Sequence, residues 1–356
     1  VSNIKTYRIA VIPGDGIGQE VVPEAIKILN LAAELSGDFT FEWDFFPWGC
    51  DYYLQHGSMM PEDGIDSLRS YDQIFLGAVG MPDLVPDHVS LWGLLLKIRR
   101  EFKQTVNLRP IKSLKGLNTP LASKEEFDFI IVRENSEGEY SDSGGRIHSG
   151  DDEIAIQNSV FTKRNTKKVM NFAKELSLER SGVITSVTKS NGLSHSMPFW
   201  DEVFKEITGS SKLTSSSVHV DAMAAFLVLK PQEFDVIVAS NLFGDILSDL
   251  GSAIMGSIGI AASGNINVER KYPSMFEPVH GSAPDIVGKN SANPIGQIWS
   301  GALMLEFLGH SDSAKLIMDA IENSLQEGVK TPDLKGRYAT NEVTNQLMKF
   351  MKAQTV

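Results

Sequence analysis

At 356 residues with a formal net charge of -12, the chain is long enough for two ordinary domains and too acidic to offer the clustered Lys and Arg on which general nucleic-acid binding rests. Hydrophobic residues make up 42% and charged ones 22%, the balance of a soluble globular protein, which excludes disorder and fibrous repeats. The only cysteine, Cys50, cannot form an internal disulfide, no apolar run reaches the ~18 residues of a membrane span, and the first residues lack a signal-peptide pattern, so a cytoplasmic location without membrane attachment is expected.

Short β-branched runs alternate with helical patterns along the chain. "YRIAVIP" is followed by "IGQEVVPEAIKILNLAAEL", "YDQIFLGAV" by "SLWGLLLKIRREF", "SGVITSV" by "NGLSHSMPFWDEVFKEI" and "FDVIVAS" by "NLFGDILSDL", with "FDFIIVR" as a further strand. This alternation predicts an α/β protein with a largely parallel sheet. Residues 138–162, "GEYSDSGGRIHSGDDEIAIQNSVFT", set a Gly/Ser/Asp-rich turn before an alternating run and predict a projecting hairpin arm. From about Ala292 onward, apolar residues at helical spacing predict a helical C-terminal part.

Two loops invite a nucleotide reading. "IPGDGIGQE" follows a strand and opens a helix, yet Gln19 stands where a dinucleotide fingerprint needs its third glycine, so a plain tight turn and a ligand contact both remain open. "EPVHGSAPDIVGKNSANP" has six residues between Gly281 and Gly288 rather than four, and Asn290 follows Lys289 where a phosphate loop carries Ser or Thr. ATP-driven phosphotransfer loses support accordingly. Small residues there let backbone N–H groups approach a ligand, and Asp285 can accept from ribose hydroxyls while repelling a 2′-phosphate, which favours NAD over NADP.

In "NLFGDILSD", Asp245 and Asp249 lie four apart and project from one side of a helix. A solvated face or a helix-terminus charge explains a single such pair, but these acids border aliphatic positions and repel each other unless a positive group lies between them. Asp221, in "HVDAMA", opens another predicted helix, and three carboxylates suit a hard divalent cation. Upstream, Arg100 reads as solvated, whereas Arg109 before Pro110 and Arg133 at a strand end occupy positions where ligand-binding groups collect. Guanidinium forks bind carboxylates two-handedly, so with Arg99 these groups describe a pocket for a small polycarboxylate.

These motifs, with "LLLKIRREFKQTVNLRP", "VRENSEGEY" and "TKSNGL", stand in the order found in the metal-dependent β-decarboxylating dehydrogenases, the isocitrate/isopropylmalate dehydrogenase family, which the sequence resembles over its whole length. Its tartrate/D-malate dehydrogenase branch is the most similar. The resemblance implies a two-domain isopropylmalate dehydrogenase-like fold, with a mixed, largely parallel sheet and not a true Rossmann fold. Residues 1–102 with 256–356 would form the NAD-binding domain, and 103–255 the substrate, metal and dimerisation domain, including the arm. It further implies an active site between the domains of a homodimer, completed by Lys189 and Asp221 of the second subunit. Arg99, Arg109 and Arg133 would bind the substrate; Asp221, Asp245 and Asp249 would hold Mg²⁺ or Mn²⁺; Tyr140 and Lys189 would be the acid/base pair. The resemblance assigns Glu277, His280, Gly281, Ser282, Ala283, Asp285, Ile286, Asn293 and Asn191 to NAD, and K⁺ is a candidate monovalent cofactor.

The residues before Arg99 bear on the substrate. Isocitrate relatives place polar side chains where Gly93 and Leu95 stand here, and a third carboxylate left unpaired there would cost several kcal/mol, on the order of the usual desolvation penalty. Isopropylmalate relatives carry a Glu followed by two leucines; this chain keeps Leu95 and Leu96 but has Trp92 in place of the Glu, a bulk expected to fill the space of a branched alkyl group. C4 acids such as D-malate and tartrate then fit best. The alternatives are a 3-isopropylmalate dehydrogenase and a non-catalytic regulatory subunit of the same fold.

Overall fold

The structure is a computed structural model that describes residues 4–354. Its strands, in chain order, are β1 (Lys5–Gly14), β2 (Phe39–Phe45), β3 (Gln73–Ala78), β4 (Val106–Lys112), β5 (Asp128–Glu134), β6 (Gly144–Ile147), β7 (Ile154–Gln157), β8 (Val183–Thr188), β9 (Thr214–His219), β10 (Val236–Ala239), β11 (Ala262–Ile266) and β12 (Ser274–Pro278). The chain divides into two compact units. Of the described residues, one takes those up to Lys103, Ser113–Pro120 and those from Ser252 on; the other takes Gln104–Lys112 and Leu121–Gly251.

In the first unit the strand order is β2-β1-β3-β12-β11, parallel except for β11, which runs antiparallel to β12. Ile9, Ala10, Val11 and Ile12 are all fully buried, a continuous apolar run that a parallel sheet needs when both its faces are covered. One cover is the helix Gly18–Ser36, which buries Val21, Val22, Ala25, Ile28, Leu29 and Ala32 at helical spacing and stops at Gly37, whose φ of 73° no other residue type adopts as readily. The helices Ile295–Leu308, Ser311–Gln326 and Thr340–Gln354, expected from the C-terminal periodicity, pack with it. Elsewhere in this unit Trp48, Met59, Met60, Leu94, Ile98 and Phe102 form a second apolar cluster with Ile12, Ile74 and Leu76.

The segment "SLWGLLLKIRREF" is helical but not uniformly α. Asp87–Ser90 and Leu96–Glu101 are α-helical, while Leu91–Leu95 between them is a π turn in which the Leu96 N–H reaches back to the Leu91 carbonyl. A π turn adds one residue, so everything beyond it is rotated by about 100° relative to an unbroken α-helix.

In the second unit the order is β4-β5-β10-β8-β9, parallel except for β4 against β5. The helices Lys163–Glu179 and Ser196–Thr208 pack together and against this sheet. Strands β6 and β7 pair only with each other, as the arm expected within residues 138–162, and leave Ile147, Ile154 and Ile156 half-exposed. Among the described residues, no helix is long and apolar enough to cross a membrane.

Candidate active site

Strand register builds the core of the site in the second unit. Asn107 on β4 lies opposite Arg133 on β5, and Arg109, two residues on, shares the face of Asn107, so both guanidiniums leave the sheet on one side. Next to β5 runs β10, with Ala239 opposite Arg133, and only Ser240 separates it from the helix Asn241–Met255. That helix therefore starts directly over Arg133. Gly244 is required by this approach: a Cβ there would lie 2.7 Å from the Arg133 Cβ and Cγ.

Four charges meet at this point. Arg133 Nη1 donates to Asp245 Oδ1, and Arg109 Nη1 lies 3.4 Å from the same oxygen and 3.5 Å from Asp249 Oδ1. The Tyr140 hydroxyl donates to the other Asp245 oxygen at 2.8 Å, and its ring lies 5.5 Å from the Arg133 guanidinium carbon. Arg109 is further held by Asn107 Oδ1 at 2.8 Å and Ser248 Oγ at 2.6 Å. Partial burial holds the Asp249 carboxyl above its usual range; Arg109 opposes the effect and Asp245 adds to it.

Lys189 and Asp221 form a separate pair, with Lys189 Nζ 2.7 Å from Asp221 Oδ1, and this hydrogen bond keeps the Asp221 carboxyl below its usual range. Asp221 opens the helix Val220–Leu229 directly after β9, as its sequence context predicts. Asn191 is exposed two residues beyond Lys189. Asp221, Asp245 and Asp249, the expected metal set with Asp221 from a second subunit, lie in two separate clusters within one chain. Within the chain it is Arg109 and Arg133 that make the Asp245–Asp249 pairing tolerable, and among the described residues no three His, Cys, Asp or Glu side chains gather closely enough to hold an ion. The donor set nevertheless fits a hard divalent cation as part of a site. Asp245 and Asp249 are neighbouring carboxylate oxygen donors on one side of a helix, the donor type that a hard cation takes. Within the chain the third acid of the expected set, Asp221, is paired with Lys189.

The cofactor candidates lie in the first unit. Gly14 and Gly16 take φ of 70° and 56°, and Gly16 passes so close to the second loop that a Cβ would sit 2.1 Å from the Ser282 carbonyl oxygen. Ile17 N donates to that same oxygen at 2.9 Å, so the first glycine loop braces the second. In the second loop His280 is buried, its Nε2 finds no partner, and burial depresses its pKa. Gly281 faces open space, Ser282 is buried, and Ala283 adopts a left-handed φ of 42° ahead of the short turn Pro284–Ile286 that carries an exposed Asp285 and a half-buried Ile286. Asn293 is buried; its Oδ1 accepts from Ile295 N and its Nδ2 donates to Asp333 Oδ2, both at 3.0 Å. A buried, unpartnered ring nitrogen beside an open glycine and a turn of small residues fits a nucleotide with hydrogen-bonding groups.

Arg99 is 7% exposed and forms a 2.8 Å ion pair with the buried Glu277, whose Oε1 also accepts from Asn265 Nδ2 at 2.7 Å. Arg99 Nε is a buried donor without a partner, as an arginine awaiting a carboxylate would be. Leu95 packs against the second apolar cluster, and Leu96 is half-buried. An unbroken α-helix would align Trp92 with Arg99, seven residues on. The π turn shifts that alignment by one residue, and the indole lies under the Arg100 guanidinium at 4.3 Å, lining a cavity of about 380 Å³ with Met59, Met60, His88 and Lys97.

The sequence reading passed over Asn107, Asn241 and Ser248, which hold the two arginines. Asn107 was within reach of the period-2 rule, two residues before Arg109 on a strand.

The motif order has counterparts in known proteins. A family model described as isocitrate/isopropylmalate dehydrogenase matches residues 8–347. The chain is 58% identical over 345 residues to a probable tartrate dehydrogenase/decarboxylase of Bacillus subtilis (strain 168), covering 97% of this chain and 98% of the relative. It is 52% identical over 359 residues to a D-malate dehydrogenase (decarboxylating) of Escherichia coli (strain K12), covering 98% and 99%. Among solved structures, an isocitrate dehydrogenase from Methylococcus capsulatus superimposes with a TM-score of 0.88 at 30% identity, over 97% of this chain and 99% of that one. A β-decarboxylating dehydrogenase from Thermococcus kodakarensis, in its apo form, gives 0.80 at 35%, over 98% and 96%. Matched in sequence and in fold along nearly its full length, the chain belongs to the isocitrate/isopropylmalate dehydrogenase family.

Proposed function

We propose that the chain is an NAD- and divalent-metal-dependent dehydrogenase that oxidises small 2-hydroxy dicarboxylates, converting D-malate to pyruvate and CO₂ and oxidising tartrate. The observation that carries this reading is the convergence of Arg109, Arg133 and Tyr140 on Asp245 and Asp249: two cations for carboxylates, two hard donors for an ion and a proton source in one cluster. The names of the relatives at 58% and 52% identity support the substrate class.

Asp245 and Asp249, with Asp221 of a second copy of the chain, would hold Mg²⁺ or Mn²⁺, which when bound lowers the pKa of the substrate hydroxyl and stabilises negative charge on its oxygen. Glu277, His280, Gly281, Ser282, Ala283, Asp285, Ile286 and Asn293, with Asn191, would hold NAD⁺, which when bound supplies the hydride acceptor. The arginines supply charge and fixed geometry for the substrate carboxylates, and the unpartnered Arg99 Nε gains the acceptor it lacks. Lys189 takes the proton from the 2-hydroxyl as C2 gives up its hydride. The C3–C4 bond of the resulting β-keto acid then breaks, CO₂ leaves, and the electron pair remains on C3. Tyr140 protonates that carbon, and the Asp245 carboxylate that accepts its hydrogen bond fixes where its hydroxyl points. The half-exposed isoleucines of the β6–β7 hairpin, together with exposed Leu229 and Ile246, support a homodimer that covers them and lends Lys189 and Asp221 to the other protomer.

Steady-state turnover with D-malate, tartrate and 3-isopropylmalate, read by NADH formation and pyruvate analysis, tests the proposal. D-malate should yield pyruvate and NADH in equal amounts. A preference for 3-isopropylmalate of more than about tenfold in kcat/KM would reject the substrate assignment.

A further inference from the structure

Asn241, the first residue of the helix Asn241–Met255, has no role in the reading above, yet it joins three of that site's parts. Its side chain is 2% exposed and makes three hydrogen bonds. Oδ1 accepts from Arg133 Nε at 3.0 Å and from Arg133 Nη2 at 2.7 Å, and Nδ2 donates to the Glu137 carbonyl at 3.0 Å. An asparagine at a helix start ordinarily turns its oxygen onto the helix's own free N–H groups. Here both acceptor positions are given to a guanidinium.

The choice of an amide is physically specific. A guanidinium needs acceptors to hold its plane, and a carboxylate in that place would hold it but cancel much of its charge. The amide oxygen fixes one edge of Arg133 without adding a negative charge to it, and Nη1 is directed at Asp245 one turn further along the same helix. The other end of the amide fixes the Glu137 carbonyl, three residues before Tyr140, whose hydroxyl also bonds Asp245. One buried side chain thus locks β5, the Tyr140 loop and the acid-bearing helix in a single arrangement, reinforced where the backbone at Gly244 lies against the Arg133 stem.

We infer that Asn241 is a positioning residue that aims Arg133 at a substrate carboxylate and sets the loop bearing Tyr140, without touching the substrate. The inference rests on the dehydrogenase reading. Asn241→Asp is the informative variant, because it is isosteric, keeps both acceptor bonds to Arg133, adds a negative charge and loses the donor to Glu137. Asn241→Ala removes both connections. The measurements are KM for D-malate, KM for NAD⁺, kcat, thermal midpoint and calorimetric binding of D-malate and tartrate without NAD⁺.

Asn241→Asp should raise KM and Kd for D-malate about tenfold while KM for NAD⁺ stays within about twofold, and Asn241→Ala, where folded, should lower kcat as well. Unchanged D-malate KM and Kd in Asn241→Asp, or a parallel rise in both KM values, would overturn the inference. A wild-type chain that binds dicarboxylates but turns none over refutes the dehydrogenase reading alone, and the calorimetric comparison then decides on Asn241. A wild-type chain that binds neither acid overturns both.

Discussion

Glu134 ends β5 next to Arg133 and is 1% exposed. Its Oε1 accepts from Ser136 N at 2.9 Å and Ser136 Oγ at 2.7 Å, and its Oε2 accepts from Glu137 N at 2.8 Å. Burial pushes its carboxyl from 4.5 up to about 7, against the downward pull of the Ser136 and Glu137 hydrogen bonds. The difference corresponds to about 3 kcal/mol between protonation states. Because the folded value lies above the unfolded one, the associated stabilisation is fully present below pH 4.5 and is lost as pH rises through about 7. Glu134→Gln removes the titration and replaces one acceptor by a donor, a penalty of about 1–3 kcal/mol that does not vary with pH. Urea unfolding of both proteins, repeated from below pH 4.5 to above pH 7, should show the wild-type advantage shrinking by about 3 kcal/mol across that window. A difference that stays flat, or grows with pH, would refute the assignment of Glu134 as a buried carboxyl held largely protonated in mild acid.

Gly16→Ala places a Cβ 2.1 Å from the Ser282 carbonyl at a φ of 56°, so it should lower stability by about 1–3 kcal/mol and raise KM for NAD⁺ more than KM for D-malate. An unchanged thermal midpoint with unchanged NAD⁺ kinetics would contradict the bracing of one loop by the other. Arg99→Met leaves the buried Glu277 without its cation and should cost about 3–5 kcal/mol, part of which Arg99→Met combined with Glu277→Met should restore without restoring turnover. Recovery of D-malate turnover in the double variant would remove Arg99 from the substrate-binding set.

How much of this was legible in the sequence depended on the range of the interaction involved. The β/α alternation, the C-terminal helices and the hairpin follow from periods of 2 and 3.6 and from turn composition, all local, and the structure has them at the expected places. Asp245 and Asp249 were legible as a pair for the same reason, since helical spacing alone puts them on one side. Their neutralisation was not, because Arg109 and Arg133 reach them through the β4–β5 pairing and the adjacency of β5 to β10, which connect residues more than a hundred positions apart.

At Trp92 it was the local geometry that the sequence left illegible: a π turn over Leu91–Leu95 precedes Arg99, and the indole lies under the Arg100 guanidinium. Nothing in "LWGLLLK" announces that turn, within which the helix packs closely on its surroundings. Gly93 shows the fit: a Cβ there would come within 2.9 Å of Met59 Cγ, so the helix runs too close to the Met59 side chain for any other residue without displacement. Residues on either side of that turn therefore cannot be placed on a common helix face by counting in steps of 3.6.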